Sequence, residues 1–97
     1  MVVCDTDEAM NVLLLENDAK VGAMLVKLMK RWDMEAVLVP SCETAREVLF
    51  ETSIDFLVAD LVLEDSTSLE LIVELRESER FRNLPILMVS GKATSQC

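Results

Sequence analysis

Three runs of uninterrupted apolar residues, Val12–Leu15 (VLLL), Phe56–Ala59 (FLVA) and Ile86–Val89 (ILMV), constrain this chain more than any other feature. A strand that is apolar at successive positions needs cover on both faces, the condition met in a parallel sheet between layers of helix. The segments between the runs have a helical period instead. From Asp18, a suitable N-cap, the residues Val21, Met24, Leu25, Leu28, Met29 and Trp32 recur at three- and four-residue spacing. They predict a helix with that face inward and Trp32 as a partly buried anchor at its end. Lys27, Lys30 and Arg31 cluster where cations complement the helix dipole. Met34 to Val39 reads as a second strand, interrupted by Glu35, closed by Pro40 and placed on an edge. Ser41 caps a short helix that turns Ala45, Val48 and Leu49 inward, and the third strand spans Asp55 to Ala59. Thr67 and Glu70 form a T-x-x-E capping box opening a helix that buries Leu69, Ile72, Val73 and Leu75. Pro85 starts the fourth strand.

This alternation of strand and helix predicts an α/β fold with a doubly wound parallel sheet. The 97 residues leave room for one domain, read as residues 11–97 behind a short acidic leader, residues 1–10, that carries Asp5, Asp7 and Glu8. No apolar run approaches the roughly 20 residues of a membrane span. Eighteen acidic against nine basic side chains, a net charge of −9, repel phosphate backbones, so no nucleic-acid partner is expected. Cys4, Cys42 and Cys97 show no C-x-x-C spacing and there is no histidine. That pattern speaks against a disulfide framework or structural zinc, fits a cytoplasmic location, and removes the commonest general base.

Parallel strands joined by crossovers place their C-terminal ends along one edge, and ligands of open α/β sheets bind outside it. Glu16, Asn17 and Asp18 follow the first strand, Asp60 the third and Ser90 the fourth. With strand order 2-1-3-4 the chain switches direction between the first and third strands, so Glu16, Asn17 and Asp60 share a crevice. Clustered carboxylate and amide oxygens suit Mg²⁺, which accepts one or two carboxylates and keeps several waters. Beside such a cation a carboxylate can attack phosphorus and form an acyl phosphate, with Ser90 donating its hydroxyl to a phosphoryl oxygen.

The segments VLLLEND, DFLVADLVLEDSTSLELIVELR and LPILMVSGKA, in that order, resemble the receiver domain of two-component response regulators over about residues 11–93. The resemblance implies a flavodoxin-like fold. It also implies Asp60 as phospho-acceptor, Ser90 as switch hydroxyl, and Glu16, Asn17, Asp60 and the Val62 backbone carbonyl as ligands of Mg²⁺. A histidine kinase or phosphotransfer protein would supply the phosphoryl group, and a downstream protein would be bound in trans. Asn17 stands where the family usually has an aspartate, which weakens the expected hold on Mg²⁺ unless Asp18 swings in. The chain ends before the family's fifth strand, its lysine and the last helices, leaving Lys92 as the available substitute and an open fourth-strand edge, through which a homodimer is expected. The alternative expectation is a pseudo-receiver, a non-phosphorylated interaction and dimerisation module. A small Mg²⁺-dependent phosphatase ranks third, because no general base is evident.

Overall fold

A computed structural model describes residues 10–60 and 68–89. In chain order the elements are β1 (Met10–Leu15), α1 (Ala19–Arg31), β2 (Met34–Val39), α2 (Cys42–Glu51), β3 (Phe56–Asp60), α3 (Leu69–Arg76) and β4 (Ile86–Val89). All strand pairs are parallel, as the apolar runs predict, and they lie in the order β2-β1-β3-β4 expected of a flavodoxin-like fold. Leu13 sits in register with Val37 on one side and Leu57 on the other, and Leu57 with Ile86. β1 starts at Met10, inside the stretch expected as a leader, whose first nine residues lie outside the described part. None of the described helices is long and apolar enough to cross a membrane.

The pleat sends alternate strand residues to opposite faces. Leu13, Leu15, Leu57 and Ala59 meet Ala45 and Leu49 of α2 and Leu71 and Leu75 of α3. Val12, Leu14 and Val58 meet Met29 of α1, with Leu25 and Val26 beside it. The apolar runs of β1 and β3 therefore serve two cores, whereas β4 packs only Ile86 and Met88 against one of them.

Helix ends follow local chemistry. The Asp18 carboxylate accepts from Lys20 N at 2.9 Å and Val21 N at 3.2 Å, and Ser41 Oγ accepts from Thr44 N at 3.2 Å. α1 closes through Asp33 in the left-handed region (φ 61°), where its short polar side chain is tolerated. At the end of α2 the Arg80 guanidinium donates to the carbonyls of Leu49 and Phe50. Its Cζ also lies 4.8 Å from the ring centre of Phe81 and 5.6 Å from that of Phe50. One cation thus pins the α3–β4 connection to α2.

Three expectations about helix faces and caps are corrected. On α1 the inward face is Val21, Gly22, Leu25, Val26 and Met29, whereas Met24, Leu28 and Trp32 are exposed, Trp32 by 63%. Gly22 explains the rotation: a Cβ there would sit 2.7 Å from Leu38 Cδ2, so the missing side chain lets α1 close onto β2 with its neighbouring apolar flank turned out. On α3 the buried positions are Ser68, Leu71 and Leu75, with Ile72 half-buried, while Leu69 and Val73 face solvent. The N-cap of α3 is Ser68, not Thr67, which lies outside the described residues. Its side chain makes no capping bond, because the hydroxyl is buried and points toward Met88 Sδ, 4.0 Å away. β4 alternates between half-buried Ile86 and Met88 and exposed Leu87 and Val89, as befits an edge strand among the described residues.

Candidate functional site

β1 lies between β2 and β3, so the chain leaves it in one direction toward β2 and returns on the other side into β3. That reversal is the switch point of an open α/β sheet. Glu16 follows β1 directly and Asp60 ends β3, and the pairing of Leu15 with Ala59 brings their side chains together. The Asp60 carboxyl is close enough to Glu16 for its charge to disfavour ionisation of the Glu16 carboxyl.

Glu16 is held firmly. Its N–H donates to Val39 O at 3.0 Å, continuing the ladder past the end of β1 toward β2. Its Oε2 accepts from Asp18 N at 3.1 Å, which folds the first turn of the connection back on the strand. The side chain is only 8% exposed. Burial pushes its carboxyl above the ordinary value of 4.5; the Asp18 N–H opposes this, and the neighbouring charges of Asp60 and Asp18 add to the rise. Asp60 is half-buried and in register with Val89, so the end of β4 reaches the level of the acid pair.

The structure thus brings together Glu16 and Asp60, with exposed Asn17 next in the chain after Glu16. Asp18 is committed elsewhere. Its carboxylate caps α1, so a swing toward the acid pair would uncap the helix. Ser90, Val62, Thr67 and Lys92 lie outside the described residues. Sequence reasoning did not anticipate the Val39 carbonyl or the Asp18 N–H as supports of Glu16. Both are backbone groups, which carry no residue-type signal.

Two carboxylates in contact, one of them resisting ionisation because of burial and its neighbour, form a donor set that a hard divalent cation would relieve of its repulsion. Among the described residues no group of three or more His, Cys, Asp or Glu side chains gathers in metal-binding geometry. A cation such as Mg²⁺ accepts one or two carboxylates and keeps several waters, so Glu16 and Asp60 are residues that could hold it. Cys42 takes no part, and burial pushes its thiol above the ordinary value despite the opposing charge of Arg46.

No protein-family model matches the chain. Over 50 residues, 52% of its length, it is 38% identical to the chemotaxis protein CheY of Pseudomonas aeruginosa, and the matched part spans 40% of that protein. A response regulator receiver protein from Pseudomonas putida superposes with a TM-score of 0.78 at 30% identity, over 86% of this chain and 69% of that one. A sensor protein from Polaromonas sp. JS666 superposes with a TM-score of 0.83 at 26% identity, over 92% of this chain and 71% of that one.

Proposed function

This chain belongs to the receiver domains of response regulators, and from that membership we propose that it accepts a phosphoryl group on Asp60 in two-component signalling. Receiver domains generally bind Mg²⁺ and interact with histidine kinases and downstream proteins. The observation that carries the reading is the contact of Glu16 with Asp60 at the switch point of the sheet.

In the proposed reaction a carboxylate oxygen of Asp60 attacks the phosphorus of a phosphohistidine on a partner kinase or phosphotransfer protein. The new O–P bond forms as the P–N bond breaks, and the imidazole leaves with the electron pair and takes a proton. Glu16, fixed by Val39 O and Asp18 N, would hold Mg²⁺ together with Asp60, Asn17 and the Val62 carbonyl. When bound, the cation neutralises the phosphoryl oxygens and lowers the repulsion between the incoming group and the acids. Ser90 would then meet a phosphoryl oxygen and carry the change in charge to the surface, where a downstream protein binds in trans. A cytoplasmic location accords with such partners.

Incubation with acetyl phosphate and Mg²⁺, read by intact mass, is expected to add one phosphoryl group to the wild-type chain and none to Asp60→Asn. A second reading, a pseudo-receiver that binds partners without phosphorylation, is favoured by one feature of the site. Asn17 contributes no charge, and the Asp18 carboxylate is occupied on α1. Absence of any adduct on folded wild-type protein would select that reading.

A further inference from the structure

The start of α1 is tied to the acid pair through one residue. A helix N-cap keeps its own N–H outside the helix, and in a capping box that donor meets a Glu or Gln side chain three residues on. Here that position holds Val21, which has no side-chain acceptor to offer. Glu16 Oε2 takes its place from the strand side, accepting from Asp18 N at 3.1 Å. The Asp18 side chain and carbonyl serve the helix instead. Oδ1 accepts from Lys20 N at 2.9 Å and Val21 N at 3.2 Å, and the carbonyl accepts from Gly22 N at 2.9 Å. Gly22 lies against the Leu38 side chain, and the carbonyl of the next residue, Val39, accepts from Glu16 N at 3.0 Å. Contacts from Glu16 through Asp18, Gly22, Leu38 and Val39 thus close a ring around the end of β1, the first turn of α1 and the end of β2.

We propose that Asp18 is a positioning residue for the cation site: by capping α1 it fixes its own N–H, and that N–H fixes the Glu16 carboxylate beside Asp60. This role rests on the proposed Mg²⁺ site, in which Asp18 is not itself a ligand. The extended backbone of Asp18 (φ −86°, ψ 112°) lets its N–H serve the strand end while its C=O enters the helix. A turn of Asp18 away from Lys20 N and Val21 N therefore also moves the donor that holds Glu16. The coupling is reciprocal, so Glu16, when it shares a cation with Asp60, should in turn protect the first turn of α1.

Amide hydrogen exchange in metal-free buffer and Mg²⁺ titration followed by amide NMR, both on the full chain, test this with Asp18→Ala and Asp18→Asn. Without metal, Asp18→Ala should speed exchange at Lys20 and Val21 and also at residue 18 itself, relative to intrinsic rates, by up to about fivefold, the loss of one cap. Asp18→Asn keeps a capping oxygen and should leave all three amides close to wild type. With metal, Asp18→Ala should weaken Mg²⁺ binding about twofold to fivefold, and Asp18→Asn should bind like the wild type. Wild-type exchange at residue 18 in Asp18→Ala overturns the proposal, since cap and carboxylate would then be independent. So does an equal loss of Mg²⁺ affinity in both variants, which a carboxylate acting on the cation by its charge would give. A wild-type chain that binds no Mg²⁺, with the faster residue-18 exchange still present in Asp18→Ala, would refute the cation site while upholding the clamp on Glu16.

Discussion

Glu16 is the residue on which the site turns, and its burial gives it a measurable signature. Its carboxyl binds a proton more tightly in the folded chain than in the unfolded one, because burial and the nearby Asp60 disfavour the charge. The stability this contributes is fully present below the ordinary value of 4.5 and is lost as pH rises through the raised folded value. Glu16→Gln keeps the acceptor for Asp18 N and removes the charge. Urea denaturation in Mg²⁺-free buffer should therefore show the variant gaining on the wild type as pH rises from about 4.5 to 7. Parallel stability curves would show that Glu16 carries no such cost. That Glu16 and Asp60 would come together was legible in the sequence because each acid directly follows or ends an apolar strand, where it is costly without a purpose. The exposure of Trp32 was not legible, since a large apolar residue at helical spacing looks the same whether its side of the helix faces the core or a partner.

Among the elements, α1 shows both what local sequence determines and where it falls short. Its start is local chemistry: Asp18 was readable as an N-cap, and its carboxylate meets the two N–H groups of the first turn. Asp18→Ala should cost about 1 kcal/mol in equilibrium unfolding, whereas Asp18→Asn should be close to neutral, since an amide oxygen caps nearly as well. Equal losses for both would mean that the charge, not the cap, matters at this position. The rotation of α1 about its axis is a tertiary effect. It depends on Gly22 approaching Leu38 of an edge strand, a contact that spacing alone cannot reveal. α3 repeats the point: its seven-residue inward period, Ser68, Leu71 and Leu75, begins on a polar residue, and that hid the phase from a reading based on apolar spacing.

At the scale of the molecule, the parallel sheet with helices on both faces was legible because continuous apolar strands demand two-sided cover, whereas its order rested on the resemblance to a flavodoxin-like fold. The convergence of strand tips followed from the order, with Glu16 and Asp60 side by side at the reversal. What the sequence did not disclose was how the charges divide, basic on one face and acidic on the other, because that needs the assignment of each helix to a side of the sheet. On the proposed function this strand edge is one site for a divalent cation. It is tested most directly by Mg²⁺ titration followed through backbone amide NMR shifts. Saturable shifts confined to Glu16–Asp18, Ala59–Asp60 and their neighbours, and lost in Asp60→Asn, are the expected result. No shift at these amides, or equal shifts in Asp60→Asn, would contradict it.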